Sequence, residues 1–208
     1  MQITAQMVKD LREATGAGPL DCKKALEQNN GDVQKAIEYL REKGLARAAK
    51  KLGAGRTMNE GIIESYIHFS KRVGVLVEVN CETDFVANTE NFRNFCKDIA
   101  LHIASLKPEY VKREHVPEAV VEAERQLQLR RAIEEGKPQA VAEKIVAGRM
   151  DKFFEELVLM EQPFLKDDSK KISQLLAELV AEIGESIEIR RFARYELGAD
   201  SAADADGA

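Results

Sequence analysis

Residues 61–103 read GIIESYIHFSKRVGVLVEVNCETDFVANTENFRNFCKDIALHI, and their hydrophobic period changes once along the way. Ile63, Ile67 and Phe69 alternate along one face of the first segment, and Val73, Val75, Val77 and Val79 do so along the next. A period of two predicts a pair of strands. The polar link Ser70-Lys71-Arg72 is short enough to make them an antiparallel hairpin. After Cys81 the alternation stops, and Phe92, Phe95, Cys96, Ile99 and Ile103 take up a helical stripe that ends before Pro108. A hairpin that feeds directly into a helix predicts an α+β fold, with a small antiparallel sheet packed by helices.

Toward the N-terminus the pattern is helical throughout. Thr4 is suited to cap a helix carrying Met7, Val8 and Leu11, which Gly16-Ala17-Gly18-Pro19 then ends. A second helix over Asp21 to Gln28 offers Cys22, Ala25 and Leu26, and Asn29-Asn30-Gly31 is a turn. Asp32 caps a third, with Val33, Ala36, Ile37 and Leu40 on one stripe, closing at Gly44. Residues 1–45 are thus expected to form a three-helix bundle, too small in its core for more than marginal stability and better suited to recognition than to catalysis. Residues 46–61 place Arg47, Lys50, Lys51 and Arg56 around Gly53 and Gly55. They read as a basic linker, helical at most at its start, whose charges are either a solvated face or a contact surface for an acidic partner.

Toward the C-terminus, residues 62–198 are expected to form the α+β core, with a helical pair inserted at about 117–162. Val120, Ala123 and Leu127, then Val141, Ile145, Phe153 and Leu157, recur at helical spacing on either side of Gly136-Lys137-Pro138. Asp167, Asp168 or Ser169 is expected to cap a further helix that carries Ile172, Leu175, Leu176, Leu179 and Ile183 and closes at Gly184. Ile187 to Leu197 reads as a closing strand, with Ile187, Ile189, Ala193, Tyr195 and Leu197 on one face and Arg190 and Arg194 on the other. Residues 199–208 are small and acidic, and are expected to be a disordered tail.

Composition narrows the function classes. A net charge of -5 over 208 residues lacks the basic bias that phosphate neutralisation on a nucleic acid requires, so a protein partner is the better expectation. Cys22, Cys81 and Cys96 are widely spaced and fit neither a disulfide framework nor a zinc pattern. No metal or cofactor is expected. Met1 to Thr15 has no apolar signal region and no later stretch reaches membrane-span length, so a cytoplasmic protein is expected.

Two segments resemble one family. Met7 to Gly44, MVKDLREATGAGPLDCKKALEQNNGDVQKAIEYLREKG, resembles the N-terminal ubiquitin-associated-like three-helix module of the elongation factor Ts family. Val77 to Ala87, VEVNCETDFVA, is similar to the strand end and TDFVA motif with which that family opens the nucleotide site of elongation factor Tu. The resemblance continues through Ile187 to Gly198, IEIRRFARYELG, and so covers nearly the whole chain. It implies a guanine-nucleotide exchange factor, not an enzyme, whose Thr83, Asp84, Phe85 and Val86 press on the GTPase and dislodge its magnesium. It also implies that the bundle docks on the GTPase, with Arg12, Leu20 and Lys23 as surface candidates.

Spacing alone also allows Thr83 or Asp84 to be an ordinary helix cap, with Phe85 covering the core. Longer members of the family carry two copies of the core unit, and this chain has one. A single unit leaves a sheet face or edge open, which predicts a homodimer. A binding module without exchange activity is the main alternative. An enzyme using Cys81 or Cys96 with His68 or His102 lacks an orienting third residue, a phosphate loop of the GxxxxGK[ST] type is absent, and direct nucleotide or nucleic-acid binding is not expected.

Overall fold

A computed structural model describes residues 3–52 and 57–199. In chain order its elements are α1 (Ala5–Thr15), α2 (Pro19–Gln28), α3 (Val33–Leu52), β1 (Glu60–Ile67), β2 (Val73–Cys81), α4 (Asp84–Ala87) and α5 (Glu90–Leu106). There follow α6 (Glu118–Glu134), α7 (Gln139–Leu157), β3 (Pro163–Phe164), β4 (Asp167–Lys171), α8 (Ile172–Ile183) and β5 (Ile187–Glu196). The fold is α+β, with a three-helix bundle ahead of a small antiparallel sheet. Residues 53–56 of the expected linker and residues 200–208 of the expected tail lie outside the described residues.

The bundle forms as its caps dictate. The Thr4 hydroxyl accepts the Met7 N–H at 3.2 Å, and Gly16, at φ 67, turns the end of α1 back onto Arg12. Helix α2 starts at Pro19 rather than Asp21, because a proline at the first helical position gives up an N–H that would have no partner there. Leu11, Cys22, Ala25, Leu26, Ala36 and Leu40 fill the space between the three helices.

Helix α3 does not close at Gly44 but runs on to Leu52. A Cβ at Gly44 would stand 3.3 Å from the Ala181 Cβ on α8, so this glycine permits a close helix crossing instead of ending a helix. One turn later Ala48 is buried in the larger core. The stretch read as a linker therefore begins as rigid helix. Arg41 pairs with Glu178 of α8 at 2.6 Å, while Asp21 of α2 receives Lys43 at 3.0 Å and Arg47 at 3.1 Å.

The three-stranded sheet has the order β1-β2-β5, antiparallel throughout. Val75, Val77 and Val79 of β2 and Ile187 and Ile189 of β5 meet Phe92, Phe95, Ile99 and Ile103 of α5 and Ile172, Leu176 and Val180 of α8. Gly61 is obligatory at the head of β1: its φ is 142, and a Cβ there would lie 2.2 Å from the Val79 carbonyl oxygen.

Strand β5 departs from simple alternation. Glu78 pairs with Arg191 and Val79 with Ile189, which leaves Arg190 as an extra residue in a β-bulge. Beyond it the phase inverts, so that Ile187 and Ile189 face the core but Ala193 and Tyr195 face outward, while Arg194 reaches the Ala104 carbonyl. The bulge brings both Arg190 and Arg191 to one carboxylate, at 3.7 Å and 2.6 Å from Glu78. The Arg191 hydrogen bond holds Glu78 below the usual carboxylate range.

Asp167, Asp168 and Ser169 do not cap a helix; they lie in β4, and Lys171 is the cap residue of α8. The Asp167 carboxylate folds back on the Ser169 N–H and hydroxyl, β4 pairs with β3, and α8 starts only at Ile172. Its cap comes from inside, as the Gln174 side chain accepts the Lys171 N–H at 2.9 Å. Helices α6 and α7 pack on each other through Ala132, Ala142, Val146 and Met150, with Gly136 at φ 78 in the link and Arg149 bridging to Glu135.

Among the described residues, helices cover one face of the sheet only. On the other, Ile63, Ile67, Leu76 and Tyr195 are exposed, flanked by Phe69 and Leu197. The apolar alternation of β1 thus marks this outer face, while Ile62 and Tyr66 serve the core.

Candidate functional site

The corner between β2 and α5 carries the TDFVA motif. Thr83 is extended (φ -131, ψ 152), and its hydroxyl accepts the Val86 N–H at 3.3 Å, starting the single turn α4. That turn divides the motif by side. Thr83, Asp84 and Phe85 are exposed, Phe85 by 78%, whereas Val86 and Ala87 are buried against the core. Val86, grouped with the tip by sequence, sits beneath it and anchors it. Both the cap and the exposed tip are present, so capping and presentation are one structure; Phe85 does not cover the core.

The far end of α4 is tied down as well. The Asn88 amide donates to the Asp84 carbonyl at 2.9 Å, and Arg93 of α5 donates to the Asn88 side chain at 2.6 Å and to the Ala87 carbonyl. On the near side Glu185 accepts the Thr83 N–H at 3.1 Å and the Thr83 hydroxyl at 2.9 Å. Glu82 in turn accepts the Ser186 N–H at 2.8 Å. Glu82, Asn88, Arg93 and Glu185 were not singled out from the sequence. Glu185 stands 102 residues from its partner, and only the pairing of β2 with β5 brings the two corners together.

The docking candidates lie apart from this tip, on the bundle. Leu20 and Lys23 are three residues apart on α2 and so share one face. Leu20 is 75% exposed, and Lys23 is exposed beside Glu27 at 3.8 Å. Arg12 is exposed on α1.

The thiols and imidazoles do not assemble a nucleophilic centre. Burial pushes Cys81 up to about 11 and Cys96 up to about 12, the opposite of an activated thiol. His102 is buried, takes the Leu165 N–H on Nδ1 and meets Gln162 through Nε2 at 2.9 Å, and burial holds its pKa below the usual value. His68 is at the other end of the hairpin from Cys81, on the turn with Ser70. Among the described residues no group of three or more His, Cys, Asp or Glu is placed to hold a metal ion, and no helix is long and apolar enough to cross a membrane.

Residues 2–199 match the family described as Elongation factor TS. The chain belongs to the elongation factor Ts family. It is 60% identical over 196 residues to the Elongation factor Ts of Carboxydothermus hydrogenoformans, covering 94% of this chain and 89% of that one. Identity to the Elongation factor Ts of Desulforamulus reducens is 56% over 197 residues, covering 95% and 90%. For that of Thermoanaerobacter sp. (strain X514) it is 57% over 196 residues, covering 94% and 95%. Membership makes the chain a translation elongation factor.

Proposed function

We propose that this elongation factor Ts relative is a cytoplasmic guanine-nucleotide exchange factor for elongation factor Tu and performs no bond-making chemistry of its own. The observation that carries this is Phe85: a large apolar ring, 78% exposed, on a turn fastened at both ends. Left in water such a ring gains nothing. Inserted between packed side chains of a partner it supplies rigid apolar area, while the exposed Asp84 beside it anchors the insertion by charge-assisted hydrogen bonds.

The partner's GDP is held largely through a magnesium ion, the strongest local charge in such a site. Pushing apart the elements that hold magnesium and phosphate lowers the barrier to GDP release, by about 1.4 kcal/mol for each tenfold in rate. Linkage sets the rest of the cycle: a factor that weakens nucleotide binding is itself weakened when nucleotide rebinds, so GTP drives it off unchanged. Thr83 and Val86 hold the tip, and Arg12, Leu20 and Lys23 on the bundle dock the GTPase.

The exposed outer sheet face supports a second element of the proposal, a homodimer in which two such faces stack. Each copy then covers the apolar surface that the other leaves in water.

The deciding experiment is release of a fluorescent GDP analogue from elongation factor Tu, with the parent chain and with the Asp84→Ala/Phe85→Ala variant. Strong acceleration by the parent, lost in the variant while binding persists, is the expected result. Binding by the parent without acceleration would reduce the protein to a GTPase-binding module.

A further inference from the structure

We propose that Glu185, together with Glu82, positions the Phe85 tip by clasping the β2–α4 corner to the α8–β5 corner. The inference rests on the exchange function proposed above. It assigns a role to two residues outside the TDFVA motif.

The clasp is reciprocal. Each corner gives one backbone N–H to a carboxylate of the other: Thr83 to Glu185 at 3.1 Å and Ser186 to Glu82 at 2.8 Å. It lies just past the last ladder pair between β2 and β5, Cys81 with Ile187. Without it the chain could pivot between the end of the sheet and the first turn of α4.

Proton bookkeeping shows why a carboxylate stands there. The Thr83 hydroxyl accepts from the Val86 N–H, so its single proton is free to be donated, and it goes to Glu185 at 2.9 Å. Glu185 therefore receives two donors from one residue and fixes the hydroxyl in the rotamer that caps α4. An anionic carboxylate accepts both at once, and such bonds are stronger than neutral ones. A glutamine of the same size would turn an NH2 group toward one of the two donors.

A wedge transmits force only when its mount is stiffer than what it displaces. Phe85 is mounted on four residues of helix, and Glu185 and Arg93 brace that turn from its two ends. Glu185 acts through Thr83 and needs no contact with the GTPase.

The test is a titration of elongation factor Tu carrying a fluorescent GDP analogue with the parent and with Phe85→Ala, Glu185→Ala, Glu185→Gln and the Phe85→Ala/Glu185→Ala double variant. Glu185→Ala is expected to lower the maximal release rate about tenfold and leave the half-saturating concentration within about twofold. Glu185→Gln, which retains part of the clasp, should fall between it and the parent. Because Glu185 works through the tip, the double variant should be no slower than Phe85→Ala alone.

Full maximal rate in Glu185→Ala, with Phe85→Ala impaired, overturns the positioning role and leaves the exchange function standing. A double variant markedly slower than Phe85→Ala also overturns it, since Glu185 would then act independently of the tip. So does a loss confined to the half-saturating concentration with lowered thermal stability, the mark of a general structural role. Absence of acceleration by the parent removes the exchange function itself.

Discussion

Leu76 occupies the middle of the outer sheet face, on the central strand, between Ser65 of β1 and Ala193 of β5. It is 51% exposed, so a facing protomer would remove about half of its side chain from water. Full burial of a leucine is worth roughly 2 kcal/mol, so the half that remains is worth about 1 kcal/mol. An interface with two-fold symmetry contains every residue twice. Leu76→Ala should therefore weaken the dimer by about 2 kcal/mol, or roughly thirtyfold in dissociation constant. Leu76→Glu should do more, because it sets two carboxylates toward each other across a desolvated surface. Sedimentation velocity across the micromolar range reads both effects, and thermal melting of the monomeric variant separates dissociation from unfolding. A parent chain that stays monomeric at high micromolar concentration, or a Leu76→Glu variant that associates like the parent, would refute the stacked-face dimer.

Stability and exchange should separate at adjacent positions of the tip. Phe85→Ala removes an exposed ring and should leave the denaturation midpoint nearly unchanged while sharply reducing, without abolishing, accelerated GDP release, whereas Val86→Ala empties buried volume and should cost about 1–2 kcal/mol in urea unfolding. Gly44→Leu should drive a branched side chain into Ala181 and lower stability by about 1–3 kcal/mol in the same assay; an unchanged midpoint would mean that α3 and α8 part easily. Acid should loosen the contacts of α3 with both α2 and α8. Asp21 is held below its ordinary 3.8 by hydrogen bonds from Arg47 and Lys43, and Glu178, which burial pushes up, is drawn below its ordinary 4.5 by Lys170 and Arg41. Carboxylates lowered in this way lend stability that is complete above those ordinary values and is lost as the pH falls through the folded ones. Melting temperature should drop over that acid range, less steeply in Arg41→Ala, and an equal slope in parent and variant would refute the contribution of Arg41.

Where the sequence speaks locally, the elements form as read. The Thr4 cap, the Asn30-Gly31 turn, the β1–β2 hairpin and the stripe of α5 all depend on neighbours within a few residues. Gly44 and Arg190 mislead for the opposite reason. A glycine inside a helical pattern means a stop or a close crossing, and only Ala181, far along the chain, decides between them. A bulge adds one residue to one strand, and nothing in Ile187 to Leu197 marks Arg190 as the extra until the partner Glu78 is in place. Residues 167–169 mislead as a cap because Asp and Ser serve both in caps and in tight turns, and only the pairing of β4 with β3 decides between them. At the site, the exposed part of the motif could be named by resemblance. The division of Phe85 from Val86 needs the backbone of α4, and Glu185 needs the whole sheet.

Helix α3 has Ala36 and Leu40 in one core and Ala48 in the other. At about 1.5 Å per residue, the eight positions from Leu40 to Ala48 set the two cores roughly 12 Å apart along a solid rod. A partner that takes hold of both the bundle and the tip thus meets a bivalent grip of fixed span. The entropy of bringing the second contact into reach is spent when the chain folds and not again at each encounter, which a flexible tether would require. The span also acts as a ruler: a GTPase surface with the wrong separation between its two contact points could be held at one of them but not pried open at the other.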